Sequence, residues 1–192
     1  MTLAPMYVFL HIRKTGGTSL RWILESKFPT REILRCYPVH GCERSEIPSF
    51  LEKFPNQFRL LVTMEGYGVS DVLPNNVAFL KMLRDPSRRC LSNYFHWYVA
   101  NPLRQKDNGV HSMEDYFERL VDLRLDNVQV RNVSGALTVP DLSEHHLELA
   151  KRSLESFAFV GLAERFEESL TLLAATMGWS HIPYKVSGPS RL

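Results

Sequence analysis

The residues best suited to chemistry lie near the start of the chain, where residues 11–20 read HIRKTGGTSL. An apolar run at 6–10 precedes this segment and a helix-like segment at 20–24 follows it, so the order is strand, loop, helix. Glycines let the backbone approach a ligand closely, and a helix N-terminus offers unpaired N–H groups with a partial positive charge. The segment therefore predicts a phosphate-binding loop, with a charge from Lys14 and hydroxyl donors from Thr18 and Ser19.

The order of residues in this loop differs from the nucleoside-triphosphate loop G-x-x-x-x-G-K-[ST], in which the lysine follows the glycines. Here Lys14 precedes Gly16 and Gly17. The alternative interpretation is an ordinary glycine turn between a strand and a helix. Taken alone, the loop does not decide between the two.

A second polar segment follows a predicted buried strand at 77–83. Asp85 and Pro86 are typical of a helix start, because Asp is a favoured N-cap and proline is favoured at the first helical position. Beside Arg84, a polar stripe at helical spacing contains Arg89, Ser92 and His96. Arginine can bind an oxyanion through two N–H groups. We therefore expect a second oxyanion site here; the alternative is a solvated helix face.

Together, the two segments resemble the carbohydrate-type sulfotransferases (the heparan and chondroitin type, sulfotransferase family 2), which use 3′-phosphoadenosine 5′-phosphosulfate (PAPS). That family reads HIPKTGGTS at the first site, and this chain has Arg13 in place of the proline. It reads LRDPxxRxxSxY at the second site, which residues 83–94 match. Residues 157–170 and, more faintly, 127–135 are also similar to the family. The resemblance extends from about residue 6 to residue 180.

The resemblance implies a donor site in two halves. The first loop would bind the 5′-phosphosulfate through Lys14, Thr15, Gly16, Gly17, Thr18 and Ser19. Arg84 and Ser92, with Arg89 beside them, would bind the 3′-phosphate, and Ser187 and Arg191 of the tail are further candidates. PAPS carries anionic groups on opposite sides of one ribose, so it needs two oxyanion sites. Lys14 would also stabilise the charge that develops on the departing oxygen. No metal is implied.

Activation of the acceptor hydroxyl needs a general base, and the sequence departs from the family here. Many relatives carry this base as the histidine of a G-H-x-x-Y-G segment. Residues 63–68 read TMEGYG, so Met64 occupies the histidine position. Glu65 is the first candidate base, since a partly buried carboxylate can have a raised pKa, and His40 is the second. The alternative interpretation is that neither residue is catalytic: Glu65 would be a surface carboxylate and His40 a loop histidine.

Length and composition describe an ordinary globular protein. The 192 residues predict a single domain over 1–192, with a C-terminus that is truncated or minimal relative to the family. The net charge of +2 gives no argument for nucleic acid. Cys36, Cys42 and Cys90 are interpreted as free thiols of a reducing compartment, although the first two could pair.

The same features give expectations about location. No apolar run approaches the length of a membrane span, and the N-terminus does not resemble a signal peptide. We expect a cytoplasmic, bacterial protein without membrane contact. The Golgi lumen is the alternative if the chain is a trimmed part of a eukaryotic enzyme.

The predicted elements alternate in the manner of an α/β protein. Strands are expected at 6–11, 58–64, 77–83 and 158–160, and helices at 18–27, 46–54, 86–99, 112–123, 143–156 and 164–177. The predicted fold class is a P-loop-like, three-layer α/β domain with a central parallel sheet flanked by helices. The polar segment 101–109 is the candidate for a mobile flap on the acceptor side.

The sequence thus predicts a PAPS-dependent sulfotransferase that transfers a sulfuryl group to a hydroxyl of a saccharide by in-line transfer. PAPS is the expected donor and a hydroxyl-bearing carbohydrate the expected acceptor; the oligomeric state is left open. Two alternatives remain: a Mg²⁺-dependent, kinase-like phosphotransferase, and a degenerate PAPS-binding domain without activity, which Met64 at the base position would suggest.

Overall fold

A computed structural model describes residues 4–37, 42–100 and 109–182. Its centre is one five-stranded sheet in the order β2-β3-β1-β4-β5, in which every neighbouring pair is parallel. The strands are β1 (Met6–Leu10), β2 (Ile33–Cys36), β3 (Leu60–Thr63), β4 (Val77–Leu83) and β5 (Phe159–Leu162). The predicted parallel α/β fold is confirmed.

The order of the strands brings the two predicted anion-binding segments together. In the sheet β1 lies between β3 and β4, and Leu10 is paired with Thr63 on one side and with Lys81 on the other. Because all strands run the same way, their carboxyl ends meet at one edge, where ligands bind in open α/β sheets. The loop after β1 and the residues after β4 are therefore neighbours.

Helices cover both faces of the sheet. They are α1 (Gly17–Ser26), α2 (Ile47–Lys53), α3 (Pro86–Tyr94), α4 (Met113–Glu118), α5 (Val128–Ser134), α6 (Glu144–Ser156) and α7 (Phe166–Met177). On one face, Leu20 of α1 and Leu173 of α7 pack with Phe9 of β1. On the other, Ile47 of α2 and Ala150 of α6 pack with Val8. Val8 and Phe9 point to opposite faces of the sheet, and helices cover both faces, so the central strand is apolar on both sides.

Some elements differ from the prediction. The four-residue strand β2 was not predicted, because Ile33-Leu34-Arg35-Cys36 is too short to show a period. The short helix α5 was also missed. The helix expected over 86–99 is α-helical only to Tyr94 and continues as a π-helical turn, Phe95–Val99. The helix expected over 112–123 begins as predicted after Ser112, whose hydroxyl caps it, but ends at Glu118.

The interpretation of three free thiols was wrong for two of them. Cys36 and Cys42 form a disulfide, with their Cα atoms 4.6 Å apart, a separation within the normal range for such bonds. The Cys42 N–H donates to the Arg35 carbonyl over 3.1 Å, and this hydrogen bond holds Cys42 beside the end of β2. Cys90 is a free thiol.

None of the helices in the described ranges has the length and apolar character needed to cross a bilayer.

A lysine lies fully buried in the middle of the sheet. Lys81 of β4 has no exposed surface, and its Nζ donates to Oδ1 of Asn132 on α5. Burial lowers the pKa of Lys81 well below its ordinary value, because a charged ammonium loses its hydration there. The contact also fixes α5 against the carboxyl end of β4, close to the site described below.

We expect this lysine to make stability depend on pH. The unfolded chain binds a proton at Lys81 that the folded chain binds far more weakly. The free energy of unfolding should therefore rise with pH, by up to about 1.4 kcal/mol per pH unit from this group. Urea titrations between pH 7 and pH 9 should show this slope, and Lys81→Met should flatten it.

Lys53 is the matched control, because it is an exposed lysine on α2. Lys53→Met should keep the wild-type slope. An unchanged slope in Lys81→Met would mean that Lys81 holds its proton in the folded state.

Candidate functional site

A cavity of about 430 Å³ lies at the carboxyl ends of β1 and β4. Most of the side chains and glycines predicted to bind an anion line it: Lys14, Gly16, Gly17, Thr18, Ser19, Arg84 and Ser92. His11, Arg13, Met64, His96 and Trp97 complete its lining. The structure therefore joins the two predicted oxyanion sites into one continuous site.

The loop after β1 takes an unusual backbone path to reach this cavity. Lys14 has φ = 69° and Gly16 has φ = 77°, a left-handed conformation that is uncommon for a residue other than glycine. The Thr15 hydroxyl donates to the Ile12 carbonyl over 2.9 Å. Helix α1 then begins at Gly17, and the first N–H groups of a helix lack an intrahelical acceptor. These groups, without any acidic residue in the first turn, favour an anion.

The His11 ring packs against the loop at Gly17. Its ring stacks on Phe9 at 5.6 Å between centroids, and Nδ1 lies 3.1 Å from the Tyr37 hydroxyl oxygen. A Cβ added to Gly17 would lie only 2.2 Å from the His11 ring, so only glycine fits here. Burial, reinforced by Arg21, lowers the pKa of His11 to about 4. The ring is therefore neutral at neutral pH and acts as packing.

Three residues position Arg84 beside the loop. One guanidinium nitrogen donates to the Lys14 carbonyl over 3.2 Å, and Nε lies 3.6 Å from a carboxylate oxygen of Glu164. The Gln129 amide holds the backbone of Arg84 on both sides: Oε1 accepts from its N–H at 2.8 Å, and Nε2 donates to its carbonyl at 2.7 Å. Gln129 and Glu164 belong to the other two segments that resemble the family, 127–135 and 157–170, whose role the sequence alone did not reveal.

The cavity is electrostatically suited to an anion. Burial and the nearby Arg84 charge lower the pKa of Lys14, because both disfavour a second cation there. No Asp or Glu of the described ranges lines the cavity. An anion bound between Lys14 and Arg84 would relieve their mutual repulsion.

Two predicted donor-binding side chains lie elsewhere. The Thr15 side chain is fully buried and makes its hydrogen bond to Ile12, so only its backbone remains available. Arg89 is 3% exposed and donates to the Leu125 carbonyl over 3.1 Å. Its position on the helix turns it towards the interior, where it anchors the segment before α5 instead of facing the cavity.

Glu65, the first predicted base, is not among the residues that line the cavity of Lys14. Glu65 lines a separate cavity with Tyr37 and Arg44, while its neighbour Met64 lines the cavity of the loop. His40, like Ser187 and Arg191, lies outside the described residues, as does most of the predicted flap. Their proposed roles stay predictions.

Two further cavities adjoin the first. One of about 550 Å³ shares Gly16, Ser19 and Arg84 with it and extends along Ala163 and Phe166. Another of about 270 Å³ shares His11, Arg13, Met64 and Trp97 and extends to Asn93 and Asn132. The guanidinium of Arg13 lies over the Trp97 ring, 5.0 Å from its centroid. The site thus has room on both sides of the anion-binding loop.

Sequence reasoning placed His96 on the polar stripe but gave it no role, and it missed Trp97 as a lining residue of the cavity. His96 lies four residues after Ser92, one helical turn, and this spacing was the available signal. Helical spacing could not identify Trp97, because the π-helical turn changes the direction of the residues after Tyr94. Within the described ranges, no cluster of three or more His, Cys, Asp or Glu side chains could hold a metal ion.

Comparison with known proteins shows the family of the chain and agrees with its fold. The model of the sulfotransferase family matches residues 6–189. Human galactosylceramide sulfotransferase is 26% identical over 195 residues, covering 90% of this chain and 45% of that protein. A mouse sulfotransferase solved in complex with PAP (3′-phosphoadenosine 5′-phosphate) superposes with a TM-score of 0.51 at 18% identity. The match covers 94% of this chain and 60% of the mouse chain. The chain spans about half the length of the curated relative.

We expect Gly17→Ala to destabilise the protein through His11. The added methyl group would clash with the ring, and overpacking of this kind costs about 1–3 kcal/mol. Combining it with His11→Ala should cost less than the sum of the two single changes, because the second change removes the clash. Chemical denaturation of the four proteins gives this coupling energy.

Gly68→Ala is the control, since the nearest atom to an added Cβ there lies 3.7 Å away. It should change the unfolding free energy by less than about 0.5 kcal/mol. Additive costs for Gly17→Ala and His11→Ala would contradict the tight packing of this pair.

Proposed function

Because the chain belongs to the sulfotransferase family, we propose that it transfers a sulfuryl group from PAPS to a hydroxyl group, on a saccharide. One observation carries the proposal: Lys14 and Arg84, from two adjacent strand ends, line a single cavity that is free of described carboxylates. PAPS requires such a paired site, because its 5′-phosphosulfate and 3′-phosphate lie on opposite sides of the ribose.

The loop residues would bind the 5′-phosphosulfate. The unpaired N–H groups at the start of α1 and the Thr18 and Ser19 hydroxyls can donate to its oxygens. Arg84 and Ser92 would bind the 3′-phosphate, and the cavity along Ala163 and Phe166 would receive the rest of the nucleotide.

Lys14 would supply the electrostatic part of catalysis. As the S–O bond breaks, negative charge develops on the bridging oxygen of the departing nucleotide. An ammonium fixed beside that oxygen stabilises the transition state more than the ground state, and only such differential stabilisation accelerates the reaction. The left-handed backbone at Lys14 directs the residue into the cavity at the cost of a less favoured conformation.

The acceptor would enter on the opposite side of the loop. The cavity along Trp97, Asn93 and Asn132 offers an aromatic ring and polar lining side chains, which suit a sugar. The human relative's name specifies galactosylceramide, which supports a galactoside as the first acceptor to try.

The cellular location remains a proposal. The sequence prediction was a cytoplasmic protein. The Cys36–Cys42 disulfide supports the alternative of an oxidising compartment, because such bonds are rare in reducing cytosol.

The donor specificity is testable by ligand-induced stabilisation. PAP should raise the melting temperature, because a ligand that binds only the folded state stabilises it. Adenosine 5′-monophosphate, which lacks the 3′-phosphate, and ATP with Mg²⁺ should stabilise far less. Arg84→Gln should remove the preference for PAP. Arg152→Gln is the control and should keep it, because Arg152 is an exposed residue of α6. Stabilisation by ATP with Mg²⁺ but not by PAP would favour the kinase-like alternative.

Lys14→Ala should reduce turnover more than donor affinity. We expect kcat to fall by about 10²–10³-fold, as for removal of other transition-state donors, while PAP affinity changes by less than about tenfold. Transfer from radiolabelled PAPS to galactosylceramide in detergent micelles, to lactose and to water gives kcat. Lys53→Ala is the control. Wild-type protein that binds PAP but transfers to none of these acceptors would support the degenerate alternative.

A further inference from the structure

His96 enters the donor cavity from an irregular part of the fold. Helix α3 ends at Tyr94 and continues as the π-helical turn Phe95–Val99, closed by the Ala100 N–H donating to the Phe95 carbonyl over 3.0 Å. Turns of this kind are rare and occur frequently at functional sites. Here the turn lets two consecutive side chains, His96 and Trp97, line the cavity that also contains Lys14 and Ser92.

The surroundings of His96 suit a proton acceptor. The imidazole is exposed and packs edge-on against Trp97, 4.9 Å between centroids. Loss of hydration, with the charges of Lys14 and Arg13, lowers the pKa of His96 below its ordinary value of 6.5. The ring is therefore neutral at neutral pH, with a lone pair available, and its exposure lets it release a proton to solvent afterwards.

The other groups near the cavity suit this role less well. Met64, at the position where relatives carry their histidine, has no basic atom. His11 is buried, contacts Tyr37 through Nδ1 and has a pKa of about 4, so it is a weak base. Glu65 lines a different cavity, and Lys81 is enclosed with Asn132. Among the described residues that line the cavity, His96 is the exposed basic group without a fixed cationic charge.

We propose that His96 is the general base that activates the acceptor hydroxyl, an assignment that rests on the proposed sulfotransferase function. An imidazole nitrogen takes the hydroxyl proton while the acceptor oxygen forms a bond to the sulfur of PAPS. The bond from sulfur to the bridging oxygen breaks, and its electron pair stays on the 5′-phosphate of PAP beside Lys14. The products are the sulfate ester, PAP and an imidazolium that returns its proton to water.

The first test separates catalysis from donor binding. His96→Gln should lower kcat by about 10²-fold or more, the usual contribution of a positioned base, with PAP affinity within about twofold of wild type. The matched control is His145→Gln, because His145 is an exposed histidine on α6; it should keep full turnover. The substrates are radiolabelled PAPS with the acceptor that wild-type protein uses in the panel above.

The second test has readouts that a structural role would not change. Turnover should fall at low pH as His96 becomes protonated. Arg13→Gln should move this acidic limb to higher pH, because it removes a cation that lowers the pKa of His96. The other ionisable groups that line the cavity are Lys14, Arg84 and His11. Lys14 also lowers the pKa of His96. His11 has a pKa of about 4. Added imidazole should restore part of the turnover of His96→Ala but not of Lys14→Ala.

The outcomes distinguish the two proposals. Wild-type protein that binds PAP yet transfers to no acceptor overturns the proposed function, and the role of His96 with it. Active wild-type protein with His96→Gln retaining more than a tenth of kcat, or with an acidic limb that Arg13→Gln leaves in place, overturns the role of His96 alone. Loss of turnover with intact PAP affinity and rescue by imidazole supports it.

Discussion

The hydrogen bond from the Arg84 guanidinium to the Lys14 carbonyl, 3.2 Å long, is the contact on which the site depends. It joins two segments that are 70 residues apart in the chain and places two cations together before any anion is present. Glu164 partly balances the charge of Arg84 through an ion pair, and Gln129 holds the Arg84 backbone through two hydrogen bonds. The charge of Arg84 disfavours a second cation at Lys14, and the two anionic groups of the proposed donor would relieve this repulsion.

The residues that hold the site together come from later in the sequence than the residues that would contact the nucleotide. Gln129 fixes the backbone at Arg84, Asn132 accepts from the buried Lys81, and Glu164 contacts both the side chain of Arg84 and the N–H of Asp85. The contact between Lys81 and Asn132 is buried, where an unsatisfied polar group is costly, whereas the contacts of Gln129 and Glu164 are partly or fully exposed. Helix α5 and the turn before α7 thus support a site to which they present few ligands.

The sequence predicted those parts of the site that rest on local rules. The strand–loop–helix order placed Lys14 and Gly16, and helical spacing placed Ser92 on the same side as Arg84. It could not give the direction of side chains that tertiary packing decides: Arg89 shares the polar stripe but turns inward to Leu125. Nor could it give β2, which is defined by pairing with β3 and not by its own pattern. Glu65 lies just beyond the end of β3, where the sequence does not show which cavity its side chain lines.

The placement of β1 beside β4 also has a consequence for folding. Lys14 and Arg84 become neighbours only when the chain closes a loop of 70 residues, which must be closed at an entropic cost before the contacts form. No fragment limited to either loop contains the whole donor site. Nucleotide binding would therefore be coupled to the cooperative pairing of the central sheet, and a bound donor would slow hydrogen exchange in the β1 and β4 backbone as well as in the loops that touch it.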